Sequence, residues 1–312
     1  IALDLDDPRD CEVVRTLALE ADVVVDNFRP EVLTRWGLGA EDLLGAEPGL
    51  IWCTLSGFGR DSRRPGYDFV IQGESGWMSI TGEPGGTPMK IGVALADVIA
   101  GKDAAVAILA ALAARERGCL GESVEERHLK IALVHSATAA LVNVAQNVLV
   151  SGRDASRWGN AHPNLCPYEL FETADVPIVI AVGSDAQWLA CARAVGLEEL
   201  GVEPSLRTNA GRLAERERIV SALSSRLSVQ ASSHWLAVLA ACGVPCGAVK
   251  SVREALGAVS ASPLTGVSPQ APGQVRFPPP MLDEHGALVR ERGWNAFDSG
   301  ISPRRTKGGA LD

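Results

Sequence analysis

Apolar and polar positions along the first third of the chain follow a strand, helix, strand, helix, strand rhythm. Ile1–Leu5 reads as a short apolar strand, and Asp7-Pro8 ends it and opens a helix over Arg9–Glu20. Ala21–Val25 is a continuous apolar run of the kind buried in a parallel sheet. Short helices are expected over Pro30–Trp36 and Ala40–Ala46, followed by a strand over Leu50–Leu55. This order predicts an α/β fold with an open parallel sheet. Ligands of such sheets bind beyond the carboxyl ends of the strands. Two loops therefore become candidate site walls, Asp26-Asn27-Phe28-Arg29-Pro30 and Ser56-Gly57-Phe58-Gly59.

A Gly- and Ser-rich stretch over 68–83 and the loop Pro84-Gly85-Gly86-Thr87-Pro88 follow. An apolar, strand-like entry at Met89–Ala96 then hands over to an Ala-rich helix, Val98–Arg117, ended by Gly118. Asp97 sits at that junction, where an Asp suits two roles. It can cap the helix, or be a carboxylate whose charge the helix N-terminus favours. Beyond a long helix over 128–150 and an irregular loop, Ser151–Pro167, a second β/α set is expected. It comprises Ile178–Val182 and Gly247–Val249 as strands, with helices over Ala186–Val195, Gly211–Leu223 and Ser232–Cys242. The expected organisation is a large Rossmann-like domain over 1–130, helix and linker over 131–165, and a smaller α/β domain over 166–256. A Pro- and Gly-rich tail, 257–312, containing Val275-Arg-Phe-Pro-Pro-Pro280, returns to the large domain.

Composition narrows the function classes. With 46% hydrophobic and 21% charged residues the chain has the balance of a globular protein. Its net charge of −9 and lack of Lys/Arg-rich runs argue against a nucleic-acid surface. Anionic ligands must then be held by individual Arg and Lys residues. The seven cysteines are odd in number and show no CxxC spacing, so reduced thiols in a cytoplasmic protein are expected, and no metal site. The most apolar stretch, 131–150, is interrupted by His135, Ser136, Thr138, Asn143, Gln146 and Asn147, which makes it too polar for a bilayer. Ile1 reads as the start of a strand already under way, so a segment ahead of it is expected.

Asn27-Phe28-Arg29-Pro30, Ser56-Gly57-Phe58-Gly59, Gly66-Tyr67-Asp68 through Gln72, Ser75-Gly76, Thr81-Gly82 and Asp97…Gly101 resemble motifs of the family III coenzyme A transferases. The resemblance continues through Arg157-Trp-Gly-Asn-Ala-His162, Pro167-Tyr168, Gly183…Gln187-Trp188 and Gly243-Val244-Pro245, nearly the whole chain. It implies an enzyme that moves CoA from an acyl-CoA to a free carboxylic acid, expected to be a dicarboxylic one with succinyl-CoA as donor. It also implies about seventy further residues ahead of Ile1, the first β/α units of the Rossmann-like domain, and an interlocked homodimer. Coenzyme A and acyl-CoA are substrates, with no permanently bound cofactor. No nucleic-acid or membrane partner is expected.

By the same resemblance Asp97 is the nucleophile. A carboxylate attacking a thioester gives a mixed anhydride, high enough in energy for CoA thiolate or another carboxylate to recapture. Arg35 matches an arginine facing the CoA phosphates, where a guanidinium binds bidentately; its alternative is a solvated surface residue. Asn27, Arg29, Asp68, Gln72 and the Gly57-Phe58-Gly59 loop are further contact candidates. Phe28 is a candidate to stack on adenine or to join the core. His162 is a candidate to select the acyl or acceptor group, or a structural histidine, and Gly183 opens a loop over the reacting centre.

Related α-methylacyl-CoA racemases carry His where Tyr67 stands, because they move a proton at the α-carbon. Tyr67 is a poor base, and its structural reading is a buried ring with a satisfied hydroxyl. A racemase, with Asp185 as acid, and a catalytically impaired fragment remain the alternatives. One departure bears on the latter. Gly118 through Lys130 is charged where the family has a short apolar strand, and burying Glu126, Arg127 and Lys130 unpaired would be costly. Either that connection is displaced outward or the chain is impaired there.

Overall fold

In the computed structural model the described residues are 1–29, 31–59, 62–257 and 280–297. Pro30 and most of the expected tail, including Val275–Pro279, lie outside them.

Three strands form a parallel sheet in the order β1-β2-β3: β1 (Val23–Asp26), β2 (Ile51–Ser56) and β3 (His128–Ala132). The register sets Asp26 beside Thr54 and Thr54 beside Lys130, with Trp52 beside His128. Side chains alternate along a strand, so Asp26, Trp52, Thr54, His128 and Lys130 share one sheet face. Leu43, Leu44 and Leu50, fully buried, pack with Trp52 and Ala18. A second cluster joins Ile71, Trp77, Ala96, Ala100, Leu133 and Ala137. The helix Leu95–Glu116 buries Ala96, Ala100 and Ala104 at helical spacing, small residues that let its backbone lie close to its neighbours. It stops at Gly118, whose φ of 66° is the left-handed conformation common at helix ends.

Several expectations are corrected. Ile1–Leu5 is no strand. Asp7 N–H bonds to the Asp4 carbonyl, and Asp4 Oδ1 accepts from Asp6 N–H, so short acidic side chains curl the segment into a turn. Pro30–Trp36 contributes only a 3-10 turn, Thr34–Trp36, closed by Gly37 at φ 65°. The expected long helix 128–150 is instead β3 followed by two helices, Leu133–Ala139 and Val142–Ser151, bent by 72°. The bend falls at Val142, whose φ of 42° is rare for a β-branched residue.

The charged connection forms its strand without displacement. Arg127 is 4% exposed, and its guanidinium donates to the carbonyls of Leu44 (2.7 Å), Glu47 (2.9 Å), Leu50 (3.3 Å) and Glu122 (3.3 Å). It therefore satisfies carbonyls that the end of helix Ala40–Ala46 leaves open. Glu126 closes a capping box with Ser123, and Lys130 pairs with Glu125. No charge of this trio is left unpaired.

The described residues group into two compact units. The first holds Ile1–Thr81, Pro88–Ser156 and the described C-terminal residues. There Arg290 binds Asp10 at 2.8 Å and Trp294 donates to the Leu17 carbonyl at 2.9 Å. The second holds Gly82–Thr87 and the chain from Arg157. Its sheet is antiparallel, in the order β4 (Tyr168–Phe171), β5 (Ile178–Ala181), β6 (Cys246–Ala248). The sequence pattern did not predict β4. Helices Asp185–Ala194, Arg216–Leu227 and Ser232–Ala241 cover a core of Phe171, Ile180, Trp188, Leu223 and Trp235.

Candidate active site

The helix that carries Asp97 begins earlier than its composition suggests. Its cap residue is Ala94, which has no capping side chain, so Asp97 is the third helical residue and not the cap. The capping acceptor comes from another element. Asp68, first residue of the helix Asp68–Glu74, accepts the Ala96 N–H on Oδ1 at 2.9 Å. Its Oδ2 accepts from Gln72 Nε2 at 2.6 Å. Gln72, fully buried, accepts the Ile91 N–H on Oε1 at 2.8 Å and donates to the Val93 carbonyl at 3.3 Å. Two side chains on one short helix thus hold the approach to Asp97, which is bent at residues 92 and 93 and not the strand-like entry expected, and the first turn of its helix.

Asp97 is exposed as a residue, yet its carboxyl is partly desolvated. That desolvation, and after it the negative charge of Asp68, hold its pKa above the usual carboxylate range. Tyr67, expected as a buried ring, is 78% exposed. Phe58 is partly buried in the cluster around Ile71 and Ala100, and the Arg64 guanidinium lies over its ring at 4.0 Å. Gly57 and Gly66 cross so closely that a Cβ on either would collide with the Cα of the other. Gly59 has a φ of 96°, open to glycine at little cost.

A cavity of about 520 Å³ opens on the polar sheet face, lined by Phe28, Arg29, Arg63, Thr54, His128 and Lys130 among others. Its floor is a hydrogen-bonded chain. Asp26 Oδ2 accepts from Trp52 Nε1 and from Thr54 Oγ1, each at 2.6 Å. Thr54 Oγ1 lies 2.9 Å from His128 Nε2. The one hydroxyl proton of Thr54 is directed to Asp26, so the His128 nitrogen is the donor. The sequence places Asp26 in a candidate site wall but does not single out Thr54, His128 or Lys130 for the site; alternate positions on three parallel strands are the available signal. Phe28 is 49% exposed at this cavity, which removes the reading of a core ring. Asn27 is exposed just beyond β1.

Arg35 does not line the cavity. It faces Asp6 at 3.7 Å and lies over the Trp36 ring at 3.8 Å. His162 and Gly183 belong to the second unit. His162 Nδ1 accepts from Asn164 N–H at 3.0 Å, and its ring lies 5.0 Å from that of Tyr168. Gly183 N–H donates to Gln187 Oε1 at 2.9 Å, and Ser184 caps helix Asp185–Ala194. Asp185 is bound by the buried Arg212 at 2.9 Å. Among the described residues no group of three or more His, Cys, Asp or Glu residues is placed to hold a metal ion.

A sequence model described as CoA-transferase family III matches residues 1–262. The chain belongs to this family. It is 36% identical to the succinate–glutarate CoA-transferase of Agrobacterium fabrum, over 93% of this chain and 76% of that one. It is 35% identical to the mouse succinyl-CoA:glutarate CoA-transferase, over 81% of this chain and 58% of the mouse protein, so it spans little more than half of that relative. Among solved structures it resembles a CaiB/BaiF family protein from Brucella suis at 35% identity and a TM-score of 0.78, covering 93% of this chain and 80% of that one. The open α/β reading and the family resemblance read from the motifs are both borne out.

Proposed function

We propose that the chain transfers coenzyme A from an acyl-CoA, succinyl-CoA foremost, to a dicarboxylic acid, with Asp97 as nucleophile. The observation that carries this reading is the partly desolvated carboxyl of Asp97 in the first turn of a long helix, in a member of a CoA-transferase family. The named relatives that act on succinate and glutarate support the substrate class.

In the proposed cycle the Asp97 carboxylate attacks the thioester carbonyl, the C–S bond breaks, and CoA leaves as thiolate. The thiolate then attacks the Asp97 carbonyl of the mixed anhydride, releasing the donor acid as carboxylate and leaving an aspartyl-CoA thioester. The acceptor carboxylate attacks that thioester, giving a second anhydride and thiolate. Attack of thiolate on the acceptor acyl carbon releases the new acyl-CoA and regenerates Asp97. No proton is gained or lost, so a carboxylate suffices and no dedicated base is required.

The cavity beside Arg29 and Phe28 is our candidate for the CoA wall, with Asn27 and the Gly57-Phe58-Gly59 loop at its rim. Arg35 would have to leave Asp6 to join it. His162 and Gly183 remain candidates for the acyl-selecting side. The racemase alternative is disfavoured: a tyrosine, Tyr67, stands where those enzymes carry their histidine, and Asp185 is engaged by Arg212.

A second copy is the proposed cover for the apolar side chains exposed on helices Leu95–Glu116 and Val142–Ser151, among them Leu109 and Leu149. Sedimentation at micromolar protein should show a dimer; a stable monomer would count against it. We assign the protein to the cytoplasm, where free thiols persist; burial pushes the Cys53 and Cys166 thiols up to about 11 and the Cys191 thiol to about 12. No single described helix is long and apolar enough to cross a membrane.

The decisive experiment is mass spectrometry after incubation with succinyl-CoA, trapping with hydroxylamine or borohydride. Modification at Asp97, abolished in Asp97→Ala, is the expected result. Exchange of the α-proton into deuterated water without CoA exchange would favour the racemase instead.

A further inference from the structure

Resting on the reading of Asp97 as nucleophile, we infer that Asp68 and Gln72 are positioning residues that hold the Asp97 turn ready for reaction and do not themselves touch substrate. Both were candidates for substrate contact. Their polar atoms are instead directed at the chain that leads into Asp97.

Gln72 is fully buried, and both ends of its amide are engaged. Its Oε1 takes the Ile91 N–H while its Nε2 serves the Val93 carbonyl and Asp68. These bonds pin an irregular, bent segment that has no strand beside it. Asp68 then takes the N–H of Ala96, the residue immediately before Asp97. The helix cap, Ala94, has no side chain to do this. Three of the four hydrogen bonds act on residues 91, 93 and 96, the fourth ties Gln72 to Asp68, and the bond to Ala96 holds the peptide that precedes Asp97. Fixing a nucleophile matters because small misplacement costs rate steeply.

Asp68 has a second, electrostatic effect. Its charge is one of the two causes that hold the Asp97 carboxyl above its ordinary range. A more basic carboxylate is a better nucleophile and a poorer leaving group, while remaining available in its ionised form where most of it titrates below the working pH. A neutral amide in place of Asp68 could still accept the Ala96 N–H, but it would lose the Gln72 bond that orients it and would omit this effect.

The test uses Asp68→Asn, which retains an oxygen for the Ala96 N–H but removes the charge and sets an amide N–H₂ against Gln72 Nε2. The double variant Asp68→Asn with Gln72→Glu restores a donor–acceptor pair between the two side chains and returns a negative charge, but gives up the donor to the Val93 carbonyl, so its rescue is partial. With succinyl-CoA and glutarate as probes, kcat of the single variant should fall about a hundredfold and KM should stay within about twofold of wild type. Its acid limb in the kcat/KM profile should move to lower pH, because a cause that raises Asp97 has gone. The double variant should regain about tenfold in kcat and shift the limb back upward. An NMR titration of the Asp97 side-chain carboxyl carbon, without substrate, should show the same downward shift in the single variant.

A raised KM at unchanged kcat would overturn the inference in favour of substrate contact. So would a loss of activity that follows thermal stability while the Asp97 titration stays put. The two readings separate cleanly. An Asp97 that titrates as expected but takes no acyl group from succinyl-CoA sinks the nucleophile. An acylated Asp97 with kcat unchanged in Asp68→Asn sinks the positioning role.

Discussion

Arg127 and the Asp68–Gln72 pair solve the same problem in different parts of the first unit. In each, a polar side chain from one element satisfies backbone groups that another element leaves open. Arg127 does so from inside, serving carbonyls at Leu44, Glu47 and Leu50 at the end of a helix, and nothing near it reacts. Asp68 does so at the start of a helix, one residue before an exposed carboxylate, and its charge reaches that carboxylate. A buried cation on carbonyls only stabilises. A carboxylate cap beside a carboxylate nucleophile stabilises the backbone while destabilising the charge it presents. The difference separates architecture from chemistry and can be broken by substitution at either end.

The largest effect should come from Asp97→Asn, which removes the proposed nucleophile and should lower kcat by about ten-thousandfold. The same change should raise the thermal midpoint at pH 7. Asp97 has a folded pKa above its unfolded value, so its ionised form is disfavoured in the folded state. The stability deficit is therefore present above the raised pKa and vanishes as pH falls below the unfolded value, where Asp is protonated in both states. Calorimetry at pH 7 and near pH 3.5 checks this; an equal gain at both would refute the electrostatic account.

Arg127→Met should show the opposite profile. Removing the guanidinium takes the donor from the buried Leu44 and Leu50 carbonyls and should cost about 3 kcal/mol, read as a lower denaturation midpoint, with kcat of the folded fraction nearly unchanged. A large drop in kcat at full stability would erase the contrast with Asp68. The smallest effect is expected from Arg115→Ala. Arg115 repeats the same device at the edge, donating to the Gly49 carbonyl at 2.8 Å and pairing with the exposed Asp22 at 2.7 Å. Its partners remain reachable by water, so urea titration should register about 1 kcal/mol.

Much of the frame was legible in order and period. The runs at 23–26 and 51–56 are apolar enough to announce buried parallel strands, and the Ala-rich stretch after Asp97 announces its helix. β3 was read as helix because His128 and Lys130 interrupt its apolar character. Those two residues face the polar cavity while Leu129 and Ile131 alternate with them, a period-2 pattern too short to outweigh the helical run that follows. Arg127 reads as a liability because a sequence shows a charge but not the four carbonyls that receive it. Asp97 itself was visible through its motif. The network that holds it was not, since Asp68 reaches Ala96 across 28 residues and Gln72 reaches Ile91 across 19, and backbone N–H donors carry no residue signature.

The crossing of Gly57 and Gly66 has a practical consequence for redesign. With the two Cα atoms pressed together, the loop after β2 and the lead into Asp68 cannot be re-cut separately. Any effort to broaden acyl-group range by swapping loops from a relative should exchange residues 56–68 as one cassette. A graft of either half alone would bring a foreign backbone against the retained glycine and shift the residue that steadies the nucleophile.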